Sequence, residues 1–186
     1  MIAQPLVTYA ADGKTHPLWP VADSLSCQAL FKEVVAFYMA DGHHRMAANS
    51  FDTLSALLMD TDEIRVKSYN RSVSTGLELK DYFFITATKG PTDLKQKHHF
   101  NLICDGHWYH LVAKAPHPYD TELLEELFDD TEYTPGLEPG PGRMLFNLFP
   151  LEIDEIIAAA DAGTVLPPKS TWIEPKIPYG LLLCKH

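Results

Sequence analysis

Apolar residues recur along the chain at two spacings, and the changes of spacing mark the elements. Leu6 to Ala11 alternates weakly, breaks at Asp12-Gly13 and resumes at His16 to Val21, which predicts a short hairpin. Behind Ser24, a residue suited to cap a helix, Cys27, Leu30, Phe31 and Val34 fall three and four apart, the stripe of a helix packed on one side. Ala36 to Ala40 is short, apolar and aromatic, so it reads as a buried strand ending at Asp41-Gly42. Met46, Ala47, Ser50, Phe51, Leu54, Leu57 and Leu58 then trace a second amphipathic helix. The local order is strand, tight turn, helix.

Further along, Ile64 to Tyr69 and Tyr82 to Ala87 have the β-branched and aromatic content of strands. Phe100 to Cys104 and His107 to Lys114 flank Asp105-Gly106, the strongest hairpin signal in the chain. Asp120 or Thr121 opens a helix with Leu123, Leu124, Leu127 and Phe128 on one face. Gly136 to Gly142 reads as a Pro/Gly loop and Met144 to Phe149 as a strand. Pro150 suits the first turn of a helix carrying Ile153, Ile156, Ile157 and Ala160, and Gly163 supplies its C-cap. Leu166 to Thr171 is a Pro-stiffened loop, and Gly180 to Cys184 a final strand. Helices and strands do not alternate regularly, so the fold class is α+β, in one domain spanning 1–186.

Composition narrows the function classes. With 46% hydrophobic and 22% charged residues the chain falls among folded globular proteins. A formal net charge of -10 repels nucleic-acid backbone, and no basic patch overrides it, so a nucleic-acid partner is disfavoured. No run approaches a membrane span, and the N-terminus lacks a basic region followed by an apolar one, so the protein is expected to be cytoplasmic and to have no membrane partner. Cys27, Cys104 and Cys184 are odd in number and widely spaced, which points to buried free thiols.

The candidate chemistry lies at Asp41-Gly42-His43-His44-Arg45. A helix start leaves its first amides without internal partners, so donors gathered there attract an anion. Gly42 lets backbone approach a ligand, Arg45 offers a planar fork for phosphate oxygens, and the two imidazoles can donate or titrate. Asp41 either holds a magnesium ion or orients a neighbouring His or Arg. The plainer alternative is that Asp41 caps the helix, the histidines lie on the surface and Arg45 pairs with an exposed carboxylate.

Phe37 to Arg45 resembles the signature of the ParB and sulfiredoxin superfamily in the form carried by archaeal free serine kinases. With His16 to Trp19, Val165 to Thr171 and Pro175-Lys176 it is similar to a family catalogued as domain of unknown function number one thousand and fifteen, in the manner of that family's C-terminal half. Between about Glu63 and Gly142 the likeness rests on Asn70-Arg71 and the strand pattern. The resemblance implies a small mixed sheet with helices, a strand-turn-helix nucleotide site, and ATP or ADP with magnesium as cofactors. It makes Asp41, His43, His44 and Arg45 the phosphate and metal contacts, and Lys169, Ser170 and Thr171, together with Arg71, the contacts of a serine-like substrate.

In those kinases a carboxylate upstream of the paired histidines is the expected base; here the nearest is Glu33, inside the first predicted helix, and only Asp12 and Asp23 precede it. Binding is therefore better supported than phosphoryl transfer, and a sensor or accessory subunit stays open, as does a homo-oligomer or second chain supplying missing residues. His98-His99 and His107 with His110 do not make a metal site, because neighbours and residues three apart on a strand point to opposite faces. Arg71 either points into the same cleft as Arg45 or lies on the surface.

Overall fold

The structure, a computed structural model, describes residues 4–11, 13–42, 46–48, 50, 55–115 and 117–176. They fall into two units, the first from residues 1–58 and 175–186, the second from 59–174.

In the first unit β1 (Val7–Ala11) pairs antiparallel with β2 (Lys14–Leu18), Tyr9 opposite His16, across a turn in which Gly13 has φ 71°. The expected hairpin is present. Helix α1 (Ser24–Phe31) starts one residue earlier than its expected cap: the Asp23 carboxylate, not Ser24, accepts from Ser26 N at 3.0 Å. The stripe predicted to pack does not, since α1 buries none of its residues. The strand expected over 36–40 is also absent. No described strand lies alongside to supply a ladder, and Phe37 and Tyr38 are exposed. Of the second predicted helix, Met46 and Ala47 are helical, Ser50 and 55–58 have no regular structure, and Asn49 and 51–54 lie outside the described residues, as does the predicted strand 180–184.

The second unit is built on β4 (Asn70–Ser74), β5 (Phe83–Thr88), β6 (His99–Cys104), β7 (His107–Ala113), β8 (Glu132–Thr134) and β9 (Arg143–Leu148). They form one sheet in the order β5-β7-β6-β9-β4-β8, and β3 (Arg65–Lys67) pairs separately with β10 (Trp172–Glu174). Every strand pairing among the described residues is antiparallel, so among them the sheet is not the mixed one that the resemblance implies. Asp105 and Gly106 take φ 48° and 75°, the left-handed pair a two-residue hairpin turn needs, which sets Cys104 opposite His107 and Asn101 opposite His110.

Alternation then sorts the faces. Val73, Phe83, Phe100, Leu102, Leu111 and Phe146 turn to one side and pack with Leu124 and Phe128 of α2 (Asp120–Leu127) and its C-cap. Aromatic edges meet faces there, as in Phe100 on Phe146 at 6.1 Å and 90°. Helix α3 (Ile153–Asp161) is capped by Glu152 and Glu155 reciprocally, so Pro150 precedes the helix instead of opening it, while Gly163, φ 65°, closes it as expected. Cys27 and Cys104 are free and half-buried, not buried; Cys184 lies outside the described residues. Among the described residues no helix is long and apolar enough to cross a membrane.

Candidate functional site

Asp41 and Gly42 form an exposed turn. Asp41 Oδ1 accepts from Gly42 N at 2.7 Å, Gly42 sits at φ 91°, and Met46 N donates to Gly42 O at 2.9 Å. Lys176 Nζ lies 3.4 Å from Asp41 Oδ2, so Pro175-Lys176 and the Asp41 turn meet although they are far apart in sequence. Both side chains are substantially exposed, and such a pair contributes on the order of 0 to 1 kcal/mol, so its meaning is location more than stability. His43, His44 and Arg45 lie outside the described residues.

In the second unit Arg71 and Lys169 to Thr171 do come together, with Arg71 bonded to the loop's own backbone. Arg71 is fully buried, which removes the surface alternative. Its Nη1 donates to Tyr69 O at 2.9 Å, its Nη2 to the carbonyls of Pro168 at 3.4 Å and Lys169 at 3.2 Å, and its guanidinium lies 4.6 Å from the centre of the Tyr133 ring. Glu125, at 3.7 Å, is its carboxylate neighbour. Burial pulls its pKa down and Glu125 opposes that shift. Arg71 thus fastens the tail loop from beneath. Lys169 is held at φ 54°, exposed, with Nζ 5.3 Å from the Tyr69 ring. Ser170 is buried, its hydroxyl donating to Pro167 O at 2.6 Å and lying 3.4 Å from Thr121 Oγ1 at the start of α2. Thr171 is half-buried.

The other face of the sheet carries a hydrogen-bonded line of side chains. Thr92 Oγ1 donates to Asn101 Oδ1 at 2.7 Å, Asn101 Nδ2 to Asn147 Oδ1 at 3.1 Å, Asn147 Nδ2 to Asn70 Oδ1 at 2.9 Å, and Asn70 Nδ2 to Gly136 O at 2.7 Å. Because the Thr92 hydroxyl is already a donor, it accepts from His110 Nδ1 at 2.9 Å, leaving His110 Nε2 to accept from His99 Nδ1 at 3.1 Å. His99 Nε2 in turn faces Gln96 Nε2 at 2.7 Å. Burial, then the His99 ring, hold His110 below the ordinary imidazole value, in keeping with the neutral tautomer the line requires.

That line ends at an open groove of about 620 Å³ lined by Lys95, Lys97, His98, His99, Glu152 and Phe149, among others. Lys97 pairs there with Glu155, and Lys95 with Asp93. His98 is the unusual member. Its backbone is left-handed, φ 68°, an arrangement uncommon outside glycine. The Asp120 carboxylate holds it there, accepting from His98 N at 2.9 and 3.1 Å and from His98 Nδ1 at 2.9 Å. Burial pushes the Asp120 carboxyl up, and the His98 hydrogen bonds work against that. Asp120 is 6% exposed and the His98 side chain 33%, so the carboxylate is inside and the ring edge is at the groove. His98 and Asp120 escaped the sequence reading because 22 residues and no fixed spacing separate them. The His99–His110 pair left a usable signal, since a two-residue turn at Asp105-Gly106 fixes the register that brings β6 and β7 side chains together.

Burial and the neighbouring Asp105 push the Cys104 thiol up, which disfavours its thiolate. Among the described residues no three His, Cys, Asp or Glu side chains are grouped to hold a metal ion.

The described residues define an α+β protein with an antiparallel core sheet. The chain belongs to the family described as Protein of unknown function (DUF1015), whose model matches residues 2–132. The matched span includes Asp41 to Arg45, Arg71, His98 and Asp120 and ends before Lys169. No curated protein and no solved structure matches the chain.

Proposed function

We propose that the protein binds a nucleotide, ATP or ADP with magnesium, at Asp41 to Arg45 and a small serine-like or phosphorylated metabolite at Lys169 to Thr171, and that its chemistry is phosphoryl transfer of the kind free serine kinases perform. The observation that carries this reading is the meeting of Lys176 with Asp41, which joins the two ends of the resemblance in one unit. Gly42 at φ 91° takes a backbone conformation that a side chain rarely adopts, which suits a close approach of backbone to a phosphate. Arg45 and the two imidazoles would supply side-chain donors. One carboxylate plus nucleotide oxygens is a common minimum for magnesium, so Asp41 Oδ2 fits that role with Lys176 turned to phosphate. Bound there, the ion would neutralise charge on the transferring group.

On the metabolite side, Arg71 acts by fixing the Pro168 and Lys169 carbonyls. That leaves the Lys169 ammonium as the group that meets a carboxylate or phosphate. A second reading, a sensor or accessory subunit without catalysis, is favoured by the engagement of Asp41 with Gly42 N and Lys176. A carboxylate so occupied is poorly placed to act as a base.

Isothermal titration of the full chain with Mg·ATP, Mg·ADP, serine and phosphoserine separates these readings. Arg45→Ala is expected to weaken nucleotide roughly tenfold to a hundredfold and leave metabolite binding intact, and Lys169→Ala to do the reverse, each removing one charge-assisted contact. Absence of heat from all four ligands with folded protein contradicts both readings; binding without phosphorylated product selects the sensor.

A further inference from the structure

The six-stranded sheet ends differently on its two sides. At one, β8 is three residues long, begins with Glu132 and runs into Pro135, so a strand laid beside it would meet a charge, a missing donor and little length. At the other, β5 runs Phe-Phe-Ile-Thr-Ala-Thr, six residues without charge, proline or glycine. An edge of that composition is a template for a further strand. Its backbone direction follows from the ladder. Lys114 N donates to Tyr82 O at 2.9 Å and Phe83 lies opposite Ala113, so residues 82, 84, 86 and 88 turn their N–H and C=O groups toward β7. Ala113 N, donating to His98 O at 2.9 Å, fits the same alternation, since odd-numbered residues of β7 then face β6. The backbone groups of Phe83, Ile85 and Ala87 therefore point away from the sheet. Phe83 is buried, whereas Ile85, Thr86 and Ala87 are exposed and Phe84 is 63% exposed. Among the described residues no strand pairs with that edge.

From this edge we infer that β5 binds β5 of a second copy of the chain, antiparallel, and that the sheet continues across a two-fold axis at Thr86. Each Ile85 then lies opposite Ala87 of the other copy, and each such pair exchanges both of its backbone N–H···O bonds. Thr86 meets its own counterpart as a pair without hydrogen bonds, and Phe84 lies against Thr88 of the other copy on the same face. Charge favours this occupant. Asp81 precedes the strand and Lys89 follows it. An antiparallel copy brings Lys89 of each chain diagonal to Asp81 of the other, within reach of a long side chain, whereas a parallel copy would set like charges together. The whole chain carries a formal net charge of -10, so two copies approach with least repulsion at an uncharged strand whose two ends are opposite in sign. A contact of one short strand per copy belongs to the small, transient class of interfaces, so the pairing is weak and depends on concentration. It stands independently of the nucleotide and metabolite reading.

Sedimentation velocity of the full chain over a rising concentration series tests this, and a monomer–dimer equilibrium is expected. Thr86→Lys, at an exposed position, sets two ammonium groups against each other at the axis and should weaken the dimer roughly fivefold. Thr86→Glu should do the same with two carboxylates. An equimolar mixture of the two variants should associate more tightly than either alone, a recovery that misfolded variants would not give. Thr86→Cys under mild oxidation should yield dimers joined through position 86, because directly opposed residues of a pair without hydrogen bonds lie within disulfide reach, and Ile85→Cys should link far less. A wild type that stays monomeric up to its solubility limit overturns the inference. So does a dimer that Thr86→Lys leaves unchanged, which places the contact on another surface, and so does a mixture of the two charged variants that associates no better than each by itself.

Discussion

Helices Ser24–Phe31 and Asp120–Leu127 are each eight residues long and relate to their surroundings in opposite ways. The first is the more apolar in composition, yet none of its residues is buried. The second is more polar but gathers its apolar residues on one face, and it buries Asp120, Thr121 and Leu124. The same contrast holds for aromatics, with Phe37 56% exposed and Phe146 at 0%. Periodicity makes an element, and burial requires a partner surface written elsewhere in the chain. In residues 59–174 that partner is the alternating face of a six-stranded sheet.

The largest effect that would sharpen this contrast comes from truncating the same residue type in both regions. Phe146→Ala is expected to cost about 3 to 5 kcal/mol in denaturant unfolding, against a few tenths for Phe37→Ala, since one leaves a cavity and the other an exposed ring's footprint. Equal losses would erase the distinction. Next is Arg71→Ala, expected to cost about 3 kcal/mol because it empties the place of a fully buried side chain and leaves three carbonyls and the Glu125 charge without their guanidinium partner. Arg71→Lys should recover part of that, since an ammonium keeps the charge but not the fork.

The smallest expected effect is a slope. The Asp120 carboxyl is raised by burial, so the folded state holds its proton to higher pH than the unfolded chain does. A group of that sign contributes stability that is present at low pH and lost as pH rises from about 3.9 through the raised folded value. Relative to Asp120→Asn, the wild type should therefore lose stability as pH climbs through that window, measured as the difference between their denaturant midpoints. A difference that stays flat, or changes the other way, would remove the buried-carboxylate account.

How much of this was legible follows from where each signal resides. The Asp105-Gly106 hairpin, its flanking strands and the Leu123 to Phe128 face could be read because turn chemistry and alternation are local. Strand Asn70–Ser74 was hidden because Asn70, Arg71 and Ser72 look like loop residues. They are buried in the second unit, where Asn147, Arg143 and the tail-loop carbonyls satisfy them. Three-residue strands Glu132–Thr134 and Trp172–Glu174 carry too few positions for a period and depend on distant partners. At the sites, the Asp41 turn announces itself as a contiguous motif. His98 with Asp120 does not, because that pair exists only once the Asp120 helix is laid beside the edge of the histidine strand.

The central claim is that the Asp41 turn takes a phosphate, and amide mapping of the full chain by ¹H–¹⁵N NMR during titration with Mg·ADP tests it most directly. The largest shifts are expected at the amides of Gly42 through Met46, with Lys176 following and the sheet amides of Phe100 to Leu102 unmoved. Saturating nucleotide that leaves Gly42 to Met46 in place, or moves only residues 59–174, contradicts it.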